Sequence, residues 1–436
     1  MNTRSEKSAV SLLPLVGALL LPLPWIALAP QGLHASPWLV AALAGAAILG
    51  AAFLLSWAAE LIQMDVSQAL ALALLALIAV LPEYAVDAVF AFQAGRDPVV
   101  AQAGYAVANM TGANRLLVGL GWSFIVLVAW WRHGVRRVVL ERSQALEMSV
   151  LLVATVYALL IPFKGELNVL DTAVLLALFG AYTWATARTP AEQPELAGTA
   201  ATLGQLPPRR RRGSTVALGV FAACSIFISA EPFAHALVDT GRTFGIDEFL
   251  LVQWLAPLAS EAPEFIVALL FVWRGQAAAG MRTLVSSKVN QWTLLIATLP
   301  LVFSLGAGTL SGMPLVVRQQ HELWLTAAQS LFAVVLISDF VMHRWEALAL
   351  LVPFVAQLML PPTIGGLDVR MTFTAGYVAV GLGLLLDPER RAAIRRWPGR
   401  VHEALHRPRV AERAQAADRQ QDAVEEQQRV PLDPFQ

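Results

Sequence analysis

The stretch LPEYAVDAVFA, residues 81–91, places a proline and two carboxylates inside a long apolar run. The chain has 436 residues, of which 57% are hydrophobic and only 14% are charged. A soluble domain carries about 25% charged residues, and runs of about 18 or more apolar residues are typical of membrane-spanning helices. Glu83 and Asp87 therefore stand where lipid-facing side chains would be expected, and their position requires an explanation.

The second half of the chain repeats this arrangement. LASEAPEFIVALLFVWRG, residues 258–275, again carries a Pro-Glu pair inside an apolar run, so Glu264 matches Glu83. Asn109 follows Glu83 by 26 residues, and Asn290 follows Glu264 by the same 26 residues. Coincident polar residues at one spacing indicate an internal repeat.

The apolar pattern predicts about twelve membrane spans. Arginine-rich connections such as WRHGVRRVVLER and PPRRRRG alternate with connections that hold about one basic residue each, so the positive-inside rule places both termini inside. The basic N-terminal stretch is interpreted as a retained helix, and the single Cys224 as a small core residue. The predicted spans are residues 9–29, 38–62, 68–93, 99–131, 145–162, 169–188, 214–239, 248–273, 280–308, 323–341, 345–361 and 371–387.

Each half contains five of these spans, an odd number, so the two copies have opposite orientations in the membrane. Inverted repeats with a mid-membrane binding site on interrupted helices are a recurring design of secondary transporters. We therefore expect an all-α polytopic membrane protein with an inverted 5+5 repeat. Its predicted units are an N-terminal extra helix at 1–37, a first repeat at 38–188, a cytoplasmic linker at 189–213, a second repeat at 214–361, a C-terminal extra helix at 362–387 and a charged cytoplasmic tail at 388–436.

Four acids fall within the predicted spans, and their cost indicates a function. An ionised acid at mid-membrane costs about 2.5–3.5 kcal/mol, and four cost on the order of 10 kcal/mol. That cost rivals the net stability of a whole domain, about 5–15 kcal/mol, so a bound cation, protons or paired bases must offset it. The four acids are Glu83, Asp87, Glu261 and Glu264.

The spacing of these acids predicts one cluster. Glu83 and Asp87 are four residues apart, Glu261 and Glu264 are three apart, and each pair shares one helix face. The prolines also free main-chain carbonyl groups from helical hydrogen bonds. Carboxylate, amide and carbonyl oxygens are the ligands that hard cations take. We therefore expect a cation site where the two copies meet.

At these residues the sequence resembles the calcium/cation antiporter superfamily, of the sodium/calcium exchanger type, over roughly 38–361. LPEYAVDAVFA with YAVANMTGANRLLVGLG carries the resemblance in the first copy, and ASEAPEFIVALL with VSSKVNQWTLLIATLP carries it in the second. The resemblance implies alternating-access exchange of calcium or a similar cation for sodium or protons. It implies that Glu83 and Glu264 are the central metal ligands and that Asn109 and Asn290 flank them.

The chain also departs from the family pattern. Asn114 matches in the first copy, but only Asn290 remains of the asparagine stretch in the second. Asp87 replaces the usual serine, and Glu261 is an additional acid. The linker at 189–213 is too short to contain the large cytoplasmic calcium-sensing domain of the family.

Two bases lie close in sequence to these polar residues. Our hypothesis is that Arg115 and Lys288 each neutralise one of the two extra acids. The site would then keep about two free negative charges, enough for one divalent ion or two protons.

These observations favour a secondary cation antiporter that exchanges calcium, or a similar cation, for protons or sodium. Sodium/proton exchange is the alternative, and a membrane-embedded enzyme that uses the acids is a remote one, since the seven histidines include no H-E-x-x-H motif. The incomplete asparagine set weakens sodium coupling, whereas acids beside bases favour proton coupling.

The expected partners are inorganic cations and the lipid bilayer, with no nucleic acid, nucleotide or cofactor besides the transported Ca²⁺, Na⁺ or H⁺. The expected location is a bacterial inner or plasma membrane. The sequence leaves the oligomeric state open.

Overall fold

The computed structural model describes residues 13–29, 35–65, 81–140, 144–187, 196 and 198–402. The predictions for residues 1–12, for the start of the third span up to residue 80, for the first part of the linker and for the tail after residue 402 lie outside this part. The helices are α1 (Leu13–Leu28), α2 (Pro37–Ile62), α3 (Leu81–Arg96), α4 (Pro98–Ala103), α5 (Tyr105–Leu116), α6 (Ser123–His133), α7 (Ala145–Leu160), α8 (Val169–Thr186), α9 (Gly198–Gly204), α10 (Pro208–Phe244), α11 (Glu248–Trp273), α12 (Ala277–Asn290), α13 (Ile296–Ala307), α14 (Val317–Leu336), α15 (Arg344–Met359), α16 (Val369–Leu384) and α17 (Pro388–Arg395).

Every predicted membrane segment coincides with a helix, as far as the chain is described. In the described part of the chain, seven continuous helical runs are long and apolar enough to cross a membrane. They are α2, the run from α4 to α6, α7 with its extension to Lys164, α8, α10, α11 and the run from α12 to α13. Helix α16 with α17 forms a further pair, bent by 89° at its break. The protein is therefore a mostly helical integral membrane protein, while twelve crossings and inside termini stay predictions.

Among the described residues, three short antiparallel ribbons connect loops between these helices. The prediction of an all-α fold did not include them, because strands of two or three residues leave no periodic pattern in a sequence. The pairs are β1 (Arg137–Val139) with β4 (Val341–His343), β2 (Glu166–Leu167) with β3 (Met313–Pro314), and β5 (Thr363–Ile364) with β6 (Leu367–Asp368).

Two of the ribbons join one copy of the repeat to the other. β1 precedes α7 as β3 precedes α14, and β2 precedes α8 as β4 precedes α15. β1 and β3 thus hold the same place in the two copies, and so do β2 and β4. A rotation that superposes one copy on the other therefore also superposes the β1–β4 ribbon on the β2–β3 ribbon. Two copies related by a pseudo-two-fold axis produce this pairing.

Helix α10 is longer than the predicted span 214–239. The prediction that residues 208–213 belong to a loop is wrong, because α10 begins at Pro208 and the four arginines form its first turns. Proline is favoured at the first helical position and arginine is a good helix former, which explains the early start. The interpretation of Cys224 as a core residue is also wrong, because this side chain is exposed on α10.

Helix α10 packs along α2, so the first helices of the two copies lie side by side. At one end of this pair, Arg211 and Arg212 of α10 both donate hydrogen bonds to the carboxylate of Asp65, just after α2. The hydrogen bond from Arg211 lowers the pKa of Asp65 to about 2. This ion pair ties the end of α2 to the first turn of α10.

Two glycine contacts bring the helices of the site together. A Cβ atom on Gly95 of α3 would lie 2.1 Å from the carbonyl oxygen of Phe303 on α13. A Cβ atom on Gly112 of α5 would lie 1.8 Å from the carbonyl oxygen of Gln253 on α11. Both positions require glycine, because any side chain would push the two backbones apart.

Candidate cation-binding site

The four acids lie on α3 and α11, at the centre of the helical bundle. Glu83 and Asp87 are each 1% exposed, Glu261 is 2% exposed and Glu264 is 9% exposed. Proline 263 lies inside α11, and its missing N–H leaves the carbonyl group of Ala259 without its helical donor. The corresponding carbonyl group before Pro82 falls among the residues that are not described.

The structure brings the acids of both copies together, as the sequence predicts. Glu83 lies within electrostatic reach of Asp87, Glu261 and Glu264, and its carboxyl group lies beside that of Glu261. Two adjacent carboxylates repel each other unless a proton or a cation is shared between them. Contact between Glu83 and Glu261 therefore gives the centre of the site an affinity for positive charge.

Each copy holds one of its acids with an amide from the following helix. Asn109 donates from Nδ2 to Oδ1 of Asp87 at 2.9 Å. In the second copy the donor is Gln291, whose Nε2 is 2.5 Å from Oε1 of Glu261. The sequence analysis missed Gln291, although its amide and its place directly after Asn290 were the available signal.

Seven buried oxygen atoms at the site accept no hydrogen bond from any described residue. Buried polar atoms in proteins are normally paired, so such a concentration of unpaired oxygens indicates a binding site. Carboxylate and amide oxygens together form the ligand chemistry that hard cations prefer. The atoms are both carboxylate oxygens of Glu83, Oδ2 of Asp87, Oδ1 of Asn109, Oε2 of Glu261, Oδ1 of Asn290 and Oε1 of Gln291.

The oxygens do not form a closed carboxylate cage. Across the described ranges, no three Asp, Glu, His or Cys side chains converge at metal-binding distance. Any cation shell at this site therefore requires amide or main-chain oxygens in addition to carboxylates. Such mixed oxygen shells are usual for hard cations.

A π-helical segment follows the site in both copies. Leu117–Trp122 continues α5, and Gln291–Leu295 continues α12. π-helical turns inside α-helices are rare and occur frequently at functional sites. The two segments do not coincide within the repeat, since the first begins eight residues after Asn109 and the second begins directly after Asn290, but both interrupt the helix that carries the amides of the site.

Asn114 occupies a different position from the other predicted ligands. Its Oδ1 accepts a hydrogen bond from Nζ of Lys288 at 2.7 Å, and its Nδ2 donates to the carbonyl oxygen of Met110 at 2.8 Å. Both ends of the Asn114 amide are thus already engaged, so this predicted ligand is not open to a second cation in the present arrangement.

The prediction that Arg115 neutralises one of the extra acids is wrong. Its Nη1 lies 3.0 Å from Oε2 of Glu322 on α14, an acid that the sequence analysis did not single out. An α-helix turns by about 100° per residue, so Arg115 points about 120° away from Asn109 and toward α14. Asn109 and Arg115 therefore serve different polar clusters from the same helix.

Glu322 is the centre of that second cluster. Besides Arg115, it accepts hydrogen bonds from Gln253 at 3.0 Å and from Arg370 at 3.4 Å. Gln253 also donates to the hydroxyl group of Thr111 at 3.2 Å. This cluster, which we call the Glu322 cluster, ties α5, α11, α14 and α16 together beside the acids.

Two inverted copies that meet at buried carboxylates and interrupted helices define the class of membrane cation exchangers. A family model described as sodium/calcium exchanger protein matches residues 36–187 and 214–361. The chain therefore belongs to the sodium/calcium exchanger family, and the resemblance seen in its motifs is confirmed.

Solved structures agree with this assignment. The crystal structure of the H⁺/Ca²⁺ exchanger CAX matches 91% of this chain and 99% of its own, with 41% identity and a TM-score of 0.85. The structure of native YfkE matches 84% of this chain and 99% of its own, with 14% identity and a TM-score of 0.57. A structure of the sodium-calcium exchanger NCX_Mj matches 76% of this chain and all of its own, with 15% identity and a TM-score of 0.50. A search of curated proteins finds no match.

Proposed function

We propose that this exchanger moves calcium in one direction across the membrane and protons in the other, by alternating access. The observation that carries the proposal is the set of unpaired carboxylate and amide oxygens around Glu83, Asp87 and Glu261. This set suits Ca²⁺, which takes six to eight oxygen ligands in flexible geometry. The 41% identical structure of an H⁺/Ca²⁺ exchanger supports the same conclusion.

Charge balance explains why protons suit the return step. When Ca²⁺ leaves, the site loses two positive charges, and the adjacent carboxyl groups of Glu83 and Glu261 repel each other. Two protons, each bound to one carboxyl group, restore the charge and relieve the repulsion. The same side chains then serve both ions in turn, so calcium and protons compete for one site and are not carried together.

Two contacts near the ends of the predicted spans agree with the predicted topology of twelve spans. Asp65 and Arg211, both assigned to the inside face, form an ion pair at 2.8 Å. Gln93 and His235, both assigned to the outside face, form a hydrogen bond at 2.8 Å. Each pairing joins residues that the prediction assigns to one face, and we infer from the distribution of arginines that both termini are inside. We expect the protein in a bacterial inner or plasma membrane.

Calcium uptake into vesicles tests the proposed function. The purified protein is reconstituted, and ⁴⁵Ca²⁺ uptake is followed under a proton gradient and, separately, under a sodium gradient at equal pH. We expect uptake under the proton gradient, and we expect Glu83→Gln and Glu264→Gln to abolish it. Glu231→Gln is the matched control, because this acid is exposed on α10, away from the four acids of the site.

Three outcomes would contradict the proposal. Calcium uptake that survives both site substitutions would exclude the site. Calcium uptake that only a sodium gradient drives would show that sodium, and not the proton, is the coupling ion. Sodium movement against protons without any calcium movement would favour the sodium/proton alternative.

A further inference from the structure

Lys288 is a basic side chain that the proposed exchange of calcium for protons does not use. It lies near the end of α12, two residues before Asn290, and it is 0% exposed. Basic residues inside membrane spans are rare, costly and usually functional. We therefore expect the buried Lys288 side chain to have a function beside the site.

Its contacts are those of a bound monovalent cation. Nζ of Lys288 lies 2.7 Å from Oδ1 of Asn114 and 3.4 Å from the carbonyl oxygen of the same residue. The ring of Trp292 lies 4.1 Å from Nζ. Amide and carbonyl oxygens are ligands for hard cations, and an aromatic face attracts positive charge.

The partner of Lys288 is an amide and not an acid. In the described part of the chain, no carboxylate lies within ion-pair distance of Nζ, so the hypothesis that Lys288 neutralises an extra acid by direct contact is wrong. The physical reason is that the side chain runs to α5 at Asn114, whereas Asp87 and Glu261 are held by Asn109 and Gln291. Lys288 therefore donates to Asn114 and not to an extra acid, while its Nζ lies within electrostatic reach of Glu83.

We propose that Nζ of Lys288 occupies the position that a coupling sodium ion would take between Asn114 and Trp292, and thereby makes the exchanger insensitive to sodium. The inference rests on the proposed calcium/proton exchange and names the residue that sets the coupling ion. A sodium ion needs several oxygen ligands of its own, and Asn114 is engaged by a tethered cation that cannot leave. A proton needs only a carboxyl group, and Lys288 leaves those of Glu83 and Glu261 open.

Sodium-driven uptake in variants at position 288 tests the inference. Full-length wild-type, Lys288→Met and Lys288→Arg proteins are reconstituted, the internal and external pH are equal, and a protonophore removes any proton gradient. An outward sodium gradient is then imposed and ⁴⁵Ca²⁺ uptake is measured. We expect no sodium-driven uptake in the wild type and in Lys288→Arg, and a rise of roughly tenfold or more in Lys288→Met, because only that variant lacks the fixed charge.

The proton-driven assay of the wild type keeps the two proposals apart. If the wild type moves calcium with protons but a folded Lys288→Met protein remains insensitive to sodium, the inference about Lys288 fails and the proposed function stands. If the wild type moves no calcium under a proton gradient, the proposed function itself fails.

Sodium binding to the wild type gives a second measurement that does not depend on the folding of Lys288→Met. Equilibrium binding of ²²Na⁺ to purified wild-type protein should show no saturable site that depends on Asn114. Saturable binding that Asn114→Ala removes would overturn the inference, because Asn114 would then be open to sodium while Lys288 is present.

Discussion

Replacing Glu322 by glutamine removes the negative charge at the centre of the Glu322 cluster while keeping the size of the side chain. Glu322 is 2% exposed and Arg115 is 3% exposed, so neither charge can be solvated in place. The variant leaves the guanidinium group of Arg115 without a counter-charge. The new amide nitrogen also faces a donor in either orientation: Arg115 and Gln253 if it takes the place of Oε2, or Arg370 if it takes the place of Oε1.

The expected loss of stability follows from this burial. Removing one partner of a buried ion pair costs about 3–5 kcal/mol, because the remaining charge stays uncompensated. Arg370 adds little to this loss, since it also bonds Asp368 and its side chain is 19% exposed. We therefore expect Glu322→Gln to lower the unfolding temperature by on the order of 5 °C.

Thermal unfolding of the purified protein in detergent, without calcium, measures this effect. Glu231→Gln carries the same chemical change at an exposed acid and should stay within about 0.5 kcal/mol of the wild type. Arg115→Met combined with Glu322→Gln should be more stable than Glu322→Gln alone, because the second change removes the unpaired charge. If Glu322→Gln unfolds at the same temperature as the Glu231→Gln control, the reasoning about the cluster is wrong.

Three further predictions follow from other contacts. Gly95→Ala should destabilise the protein by about 1–3 kcal/mol through overpacking, because its Cβ would lie 2.1 Å from a carbonyl oxygen of α13. Gly180 has open space around it, so Gly180→Ala should be neutral or stabilising in the same thermal assay. The pKa of Asp65 is lowered to about 2 from 3.8. The difference in stability between the wild type and Asp65→Asn should therefore be full above about pH 4 and disappear as the pH falls toward 2. A difference in unfolding temperature that is independent of pH would contradict this. Val139 and Val341 are paired across the β1–β4 ribbon. Cysteines at these two positions, in a Cys224→Ala background, should form a disulfide on mild oxidation, and a mobility shift on non-reducing gels measures the bond. Proton-driven calcium uptake should persist.

The repeat and the acids were predictable because they leave strong local signals. A Pro-Glu pair in an apolar run is costly, and its recurrence with an asparagine at the same spacing restricts the interpretation. The sequence therefore predicted that the acid pairs of the two copies meet, although it gave Glu264 as the central counterpart of Glu83, whereas the structure places Glu261 beside Glu83. It also predicted that Asn109 lies with the acids of its own copy, and the hydrogen bond to Asp87 agrees with that placement.

The partners of the basic residues were not predictable in the same way. Arg115 follows Asn114 directly, yet the rotation of the helix turns it toward α14, and only the packed structure identifies Glu322 as its partner. Glu322 itself lies one residue before the predicted span 323–341, because α14 begins at Val317 and its first turns are polar. Gln291 was missed because its amide, although directly beside Asn290, has no amide counterpart in the first copy, where Met110 stands at the matching position.

The ribbons have a consequence for how such a chain can be divided. Each copy supplies one strand to the β1–β4 ribbon and one to the β2–β3 ribbon. One half on its own would therefore carry two strand edges without partners, and only the two halves together would close both. Two identical half-length chains, inserted in opposite directions, would close the same two ribbons with a single sequence, so the present architecture has the form of an antiparallel homodimer fused into one polypeptide.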